Sequence, residues 1–440
     1  MVDIRCEVLV VGGGTTGCCA ALAAARGGAR TVLVEANGFL GGNAANGLPW
    51  LGFHHAPTGR QVVTGIPVEI VERLQSVGGA SRMERDPICG SLVTVDSTRL
   101  KLALADLLSE AGVEVHLHTM VASAEHAAAG WTVGIANAGG EGRIRARFVI
   151  DATDIGAVAI AAGAKGQYGR RTDGKPQVAS AVVRIGDVDV AEMIRYFQAN
   201  PLEMRPFRIP PDQLMRYVES LPEAECFVLG AFPKLIAAAK SEGASYPRDR
   251  MIGVVDVRNR EFISVCSRVE GVDPRKNLDY SKAEVESLRQ SVEALELFRR
   301  NLPGFGAARI VSSGHTIGLR ETFHVQGDYT LTGEDLMNGT QFPDTIAHGG
   351  YHLDIHSPDD PGLRSRVPPV YCIPFRSLLP VGLDDLLVAG RAISATHEAQ
   401  ASVRVIPILG SIGEAAGRIA AQCLARGIGL RETEALADVA

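Results

Sequence analysis

Cys6-Glu7-Val8-Leu9-Val10-Val11-Gly12-Gly13-Gly14-Thr15-Thr16-Gly17 stands at the head of the chain, and its reading decides the fold. Cys6 to Val11 reads as a buried strand. The glycines follow without a break, an Ala-rich helical stretch runs from Cys18 to Arg26, and a second apolar strand, Thr31 to Val34, ends in Glu35. Each part has a physical role. Gly12 permits a tight turn off the strand. Gly14 lets backbone approach a pyrophosphate with no Cβ in the way. Gly17 lets the helix lie close on the sheet, and the helix N-terminus faces the phosphates. Glu35 stands where a carboxylate would accept hydrogen bonds from a ribose hydroxyl pair. The glycines alone carry little, since the chain holds 49 of them; the ordered series of strand, glycines, helix, strand and acid carries the reading.

The residues that follow select the dinucleotide. After Glu35 and Ala36 the chain reaches Gly41-Gly42-Asn43, a glycine pair that lets backbone pass close to the phosphates and ribityl chain of FAD. The far end of the chain agrees. Leu386 to Val388 reads as a strand leading into Ala389-Gly390-Arg391, and Pro407 stands near a helix start that continues through Ile408, Gly410, Gly413 and Gly417. Those three glycines share one helix face, so something approaches that face closely. The helix start offers free N–H groups and positive dipole, with Arg404 just before it.

The chain resembles the FAD-dependent oxidoreductase family of the glutathione-reductase superfamily, whose members include proteins described as xanthan-lyase-like. The resemblance rests on Val10 to Gly17, Gly38-Phe39-Leu40-Gly41-Gly42-Asn43-Ala44, Asp151-Ala152-Thr153-Asp154, Gly318-Leu319-Arg320-Glu321-Thr322, Gly327-Asp328-Tyr329, Asp354-Ile355-His356 and Ala389 to Ala399. It implies an α/β protein: a glutathione-reductase-type, Rossmann-like FAD-binding domain with a discontinuous α+β substrate domain. It further implies that the final helix points at flavin N1 and O2, that Val121 lies near the adenine, that Ala152 and Thr153 return to the cofactor, and that Arg320 and Glu321 lie near the flavin. Two segments depart from the family pattern. Thr322-Phe323-His324 replaces a basic run and is expected to change the substrate pocket. Asp154-Ile155-Gly156 replaces Gly-Asp-Gly and is expected to reshape a turn.

At 440 residues, two joined domains are expected. Residues 1–165 and 381–440, with an excursion at 46–90, are assigned to the FAD-binding domain, and 166–380 to the substrate domain. Helices are expected over Asp96–Ala111, Val188–Asn200, Pro211–Leu221 and Ser281–Asn301; in the last, Val285, Leu288, Val292, Leu295 and Leu297-Phe298 form the apolar side. A net charge of −6 argues against nucleic acid and polybasic membrane roles. No apolar run of ~18 residues is present, so no membrane insertion is expected. Eight cysteines without C-x-x-C spacing imply a reducing, cytoplasmic setting without structural or redox-active disulfides. A second dinucleotide fingerprint is missing, so electrons are expected to leave to oxygen, a quinone or a partner protein. His348, His352 and His356 recur every four residues like a metal face, but Gly349-Gly350 and Pro358 oppose a helix there, and no metal is expected. A homo-oligomer is left open.

These features point to an FAD-dependent dehydrogenase or oxidase that takes hydride from a C–H next to O or N of a small polar substrate onto flavin N5. Two alternatives stay open: a flavin-dependent reductase of an activated double bond, and a non-redox lyase or isomerase using FAD as scaffold. Removing an O–H or N–H proton calls for a base titrating near neutrality. His324 and His315 are the first candidates and His55 the next. Arg320 can clamp a substrate carboxylate, and Glu321 can orient Arg320 or a histidine. Arg404 is either a second clamp or a partner of flavin O2.

Overall fold

The computed structural model describes residues 2–204, 209–360 and 363–435. Residues 436–440, the tail of the expected FAD-binding domain, lie outside the described residues.

Four runs of contiguous apolar residues, Val8–Val11, Thr31–Val34, Phe148–Asp151 and Leu386–Val388, form wholly buried strands. Burial on both faces is the mark of a parallel sheet covered on each side. Together with Glu114–His116 they form one five-stranded sheet. Its order is Leu386–Val388, Phe148–Asp151, Val8–Val11, Thr31–Val34, Glu114–His116, and every pairing is parallel. The register aligns Val11 with Val34 and Asp151, and Asp151 with Val388, so the carboxyl ends come level. Ligands of open parallel sheets bind at that end.

The helix Thr15–Arg26 covers one face, and the last long helix, Ile406–Arg426, lies on it. The two meet backbone to backbone. A Cβ on Gly413 would stand 2.1 Å from Thr16 O, and one on Gly417 2.0 Å from Ala20 O. The close approach expected along the Gly413/Gly417 face is therefore this helix pairing. Gly410 points elsewhere, toward Pro67.

A second sheet, of five antiparallel strands, runs in the order Cys226–Ala231, Met251–Asp256, Glu261–Ser264, Val183–Gly186, Arg309–Ser313. Its strands are largely apolar and buried, and only the edge strand Arg309–Ser313 is mostly exposed. The core beneath it draws on residues from Ala181 to Ala308, including Phe197, Phe232, Phe262, Phe298 and Phe305. Residues from Leu331 to Leu379 instead pack into the first core, with the parallel sheet and the final helix. The cores thus do not follow the expected 166–380 limits. A third, four-stranded sheet of Val2–Arg5, Gly140–Ala146, Gly130–Asn137 and Met120–Ala127 forms an arm beside the parallel sheet.

One helix turns its apolar pattern around. In Asn277–Asn301 the buried positions are Ala283, Ser287, Ser291, Ala294, Leu295, Leu297 and Phe298. Val285, Leu288 and Val292, expected on the core side, face outward. Leu297 and Phe298 lock the C-terminal turns to the core, and the helical period then carries the valines to the opposite face.

The helix contact gives a direct expectation. Gly413→Ala must push apart two backbones that have no room to move, and should lower the free energy of unfolding by about 1–3 kcal/mol. A urea titration of the purified protein measures this.

Candidate functional site

An elongated cavity runs from the carboxyl end of the parallel sheet to the face of the antiparallel sheet. Its first wall is the glycine-rich turn. Gly14 is the N-cap of the first helix and has no side-chain cap, so the N–H groups at Thr15 and Thr16 are not satisfied by a side chain. A Cβ at Gly14 would meet nothing within 4 Å, so the space before it is open. Gly12 and Gly17 do not face the cavity. A Cβ on Gly12 would strike Ala152 O at 2.8 Å, and one on Gly17 would strike Gly12 O at 1.8 Å; both glycines serve the close turn and the helix seat.

The Gly41-Gly42 segment is strapped onto this turn. Gly41 N donates to Gly13 O at 2.8 Å, and Thr15 Oγ1 donates to Gly41 O at 3.4 Å. Gly41 and Gly42 have φ of +99° and +52°, and a Cβ on Gly42 would lie 3.2 Å from Gly14 Cα. Asn43 and Ala152 continue the wall. Glu35 is buried at the sheet end, where its carboxylate accepts from Gly13 N at 2.6 Å and from Asn37 N at 2.7 Å. The acid therefore rigidifies the turn, and its remaining lone pairs are what it can offer a ribose.

The far end of the chain closes the same cavity. Gly390, at φ +117°, and Arg391 follow the last parallel strand and line it. Arg391 pairs with Asp154, and its Nε is buried with no partner. Arg404 donates through Nη2 to Asp354 Oδ2 at 2.8 Å, while its Nε is also orphaned. Ile406 opens the final helix at the cavity with no side-chain cap. Open space before Gly14, two uncapped helix starts and two unpartnered guanidinium N–H groups converge on one elongated volume, which suits a long, phosphate-bearing cofactor.

Not every candidate cofactor residue reaches that volume. Ala36 borders a separate surface recess with Asn37, Phe39, Lys101, His118 and His315. Val121 is half-buried on the arm sheet. Thr153 caps inward, donating through N and Oγ1 to Asp151 Oδ1 at 3.1 and 2.6 Å. Ile408 is wholly buried in the core, and Gly410 packs on Pro67.

The opposite end of the cavity holds the reactive side chains. One side is apolar and comes from the antiparallel sheet: Val182, Val228, Ile252, Val254 and Ile263. The other carries Arg320, Tyr351, His352, Asp354 and His356. Arg320 is 9% exposed. It donates through Nη1 to Val178 O at 2.7 Å and Ser180 Oγ at 2.8 Å, and among the described residues it has no carboxylate partner. Burial, and then the charges of Arg248 and Arg404, push its pKa well below the usual guanidinium value.

Asp354 and His356 alternate on the strand Leu353–His356 and so project to the same side. His356 Nε2 lies 3.2 Å from Asp354 Oδ2. Buried Asp354 is held well below the usual carboxylate range by His356 and Arg404, which outweigh its burial. It is thus an acceptor, His356 Nε2 carries the hydrogen, and Nδ1 is the basic nitrogen. Burial, and then the charge of Arg320, lower the pKa of His356 to about 3.

The structure separates the histidines proposed from sequence. His315 is exposed at the surface recess, 3.3 Å from Lys101 Nζ and edge-on to Phe39, away from the cavity. His55 is buried between Thr58 Oγ1 at 2.8 Å and the carbonyl of Pro368 at 3.0 Å, also off the cavity wall. Neither is placed to act as the base. His324 lies behind the wall on the strand Phe323–Val325, where the expected change of pocket shape at Thr322-Phe323-His324 finds no cavity to act on. Glu321 does not touch Arg320. It joins His324 Nε2 at 2.9 Å and His397 Nδ1 at 2.8 Å, and accepts from Gln177 N at 2.8 Å. Of the three histidines that recur every four residues, His348 does not line the cavity; His352 and His356 do, with Asp354. Their signal was the Asp-x-His alternation, which puts both groups on one side of a strand. Among the described residues no cluster is arranged to hold a metal ion.

A family model described as FAD dependent oxidoreductase matches residues 7–439. The chain belongs to this family. It is an enzyme, and FAD is its cofactor. No curated protein matches it. Among solved structures, the p-nitrophenol 4-monooxygenase PnpA from Pseudomonas putida DLL-E4 is similar over 99% of this chain and 84% of its own, at 11% identity and a TM-score of 0.50. A triple mutant of the flavin-dependent brominase Bmp2 is similar over 96% and 81%, at 12% identity and a TM-score of 0.50. Both likenesses are of fold: a mixed α/β architecture built on a parallel, Rossmann-like sheet. The Gly14 opening, the Gly41-Gly42 strap and the Arg391 and Arg404 donors are the groups on the cavity wall that could hold this cofactor. Among its described residues no helix is long and apolar enough to cross a membrane.

Two expectations follow. Gly14→Ala should alter the free energy of unfolding of the apoprotein by no more than about 1 kcal/mol, because the added Cβ meets no protein atom, yet it should abolish retention of FAD through gel filtration. Glu321→Gln tests the buried carboxylate. Burial raises its pKa, but hydrogen bonds from His324 and His397 outweigh burial and hold it at about 2. A depressed carboxyl pKa stabilises the folded state above the unfolded value and loses that contribution as pH falls through the folded value. The wild-type advantage over Glu321→Gln should be fully present at pH 5, on the order of 3 kcal/mol, and shrink toward pH 2 in urea titrations.

Proposed function

We propose that this enzyme is a dehydrogenase or oxidase of a small organic anion, oxidising a carbon that bears an O–H or N–H group. FAD, when bound, supplies the acceptor for the two electrons. The carrying observation is Arg320: a buried guanidinium at the cavity wall with no carboxylate partner and with donors left over, beside a neutral imidazole whose basic nitrogen is free. A buried cation without its counter-ion is costly, and a carboxylate in the cavity relieves that cost with paired N–H donors. The apolar sheet face opposite receives the hydrocarbon part of the same molecule.

Arg320 thus anchors, and His356 Nδ1 takes the O–H or N–H proton, with Asp354 fixing its tautomer. This replaces His324 and His315 as the base. Substrate binding also tunes the base. The charge of Arg320 is the second cause that lowers the His356 pKa, and a bound carboxylate cancels it, making the imidazole more basic once substrate is present. We further read the FAD half as glutathione-reductase-type, since the parallel order and the closing strand from the chain end suit that build. The block carrying the antiparallel sheet is read as the substrate half.

The test is an anaerobic absorbance titration of the FAD-loaded enzyme with hydroxy and amino acids and with their methyl esters. Bleaching of the flavin band by a free acid but not by its ester is expected, and its return in air would mark an oxidase. Arg320→Met should raise the substrate concentration needed by about 10- to 100-fold, and His356→Asn should slow bleaching by about 10² to 10⁴. The acid limb of kcat should lie at higher pH than that of kcat/KM, because protonated His356 is inactive and its pKa rises in the complex. A flavin that stays oxidised with every acid would overturn this reading.

A further inference from the structure

The outward face of the helix Asn277–Asn301 carries branched aliphatic residues where a solvated helix carries polar ones. Leu278 is 64% exposed, Val285 59%, Val292 53% and Leu288 43%. Leu278, Val285 and Val292 recur every seven residues, with Leu288 three after Val285, which is the a/d spacing of a helix seam that meets another helix. The inward face of the same turns carries Ala283, Ser287 and Ser291. Amphipathicity is therefore reversed over nearly four turns, although the polar residues needed to cover the outside are present on the inside.

The edge strand Arg309–Ser313 packs beside this helix and ends the antiparallel sheet, with Val311 exposed. The apolar strip thus continues onto an unpaired strand edge, a second feature that invites a neighbour.

The sequence of the helix is complementary to its own reverse. Turned about a midpoint between Leu288 and Arg289, Val285 meets Val292 and Leu278 meets the stem of Arg299. Lys282 meets Glu296 about a centre half a residue away, at Arg289, and Glu296 also has Arg299 and Arg300 of its own helix at 3.6 and 3.8 Å. Lys282 is exposed and makes no ion pair among the described residues. Arg289, nearest the midpoint, is already paired with Glu286 of its own helix, so two copies do not oppose bare like charges. Such reversal is what a two-fold interface demands, since each partner offers the same patch.

We propose that this helix is the seam of a two-fold dimer, in which two copies of the chain pair antiparallel through Leu278, Val285, Leu288 and Val292, with Lys282 of each facing Glu296 of the other. None of these residues lines the cavity, so the pairing is independent of the reading of the active site.

Light scattering on the FAD-loaded, full-length enzyme tests the proposal. Wild type should elute at twice the 46.6 kDa chain mass, and Val285→Lys/Val292→Lys at the single mass with an unchanged flavin spectrum. Lys282→Glu, at an exposed position that does not threaten folding, should weaken the dimer, and Lys282→Glu/Glu296→Lys should restore it. Orientation is read by oxidative cross-linking, with the native cysteines all buried. Leu288→Cys lies beside the axis and should link two chains. Leu278→Cys lies about 15 Å along the helix from it and should not, its counterpart being about 30 Å away. A wild type at single mass, a dimer that survives the double lysine variant, or equal cross-linking at both cysteines would overturn the proposal.

Discussion

The architecture depends on one stack of backbone contacts with no side chain between them. Gly17 rests on the Gly12 carbonyl, and Gly413 and Gly417 rest on the carbonyls of Thr16 and Ala20. Two helices from opposite ends of the chain are thereby fixed against the glycine-rich turn. Close packing makes such a contact unforgiving, since one methyl has nowhere to go. The same contact sets the start of the final helix at the cavity, so cofactor geometry and core packing are a single constraint.

Charge at the opposite end of the cavity is organised just as tightly but is left incomplete. Asp354 answers Arg404 and fixes His356, while Glu321 joins His324 to His397 behind the wall. Gln177 ties the two groups together: its N–H reaches Glu321, its amide N–H reaches Gln400 Oε1, and its carbonyl receives His356 N. Gln400 in turn donates to Arg320 O at 2.6 Å. Arg320 is therefore held in place by its backbone and by neutral oxygens. Among the described residues no carboxylate pairs with its guanidinium, which lines the cavity.

The FAD half was legible because its parts are local. Strand, glycine turn, helix and acid lie within the first 35 residues, and each is dictated by backbone need rather than by distant partners. The active end was less legible because its residues meet only through folding. His324 and Arg320 are near neighbours in sequence, yet one lies behind the wall and the other on it, because Arg320 precedes the strand Phe323–Val325 and the tertiary setting decides which segment reaches the cavity. His315 illustrates the same limit, since the chain between it and Arg320 passes from the surface recess beside Lys101 and Phe39 to the cavity wall. In the helix Asn277–Asn301 the period was right and the face was wrong, because Leu297 and Phe298 at one end set the rotation of the whole rod.

The order of strands in the parallel sheet also sets a timetable for synthesis. Its edge strand, Leu386–Val388, and the helix that seats on Thr15–Arg26 are synthesised long after the strands they join. The cavity gains both walls only once both segments have been made. The antiparallel sheet and its aromatic core draw on one stretch between residues 181 and 313, which can condense while later residues are still being translated. The amino-terminal strands must meanwhile wait with apolar surface uncovered, and contacts of such long sequence separation form slowly. The cavity is thus completed when the helix Ile406–Arg426 seats on Thr15–Arg26, a contact between segments far apart in sequence.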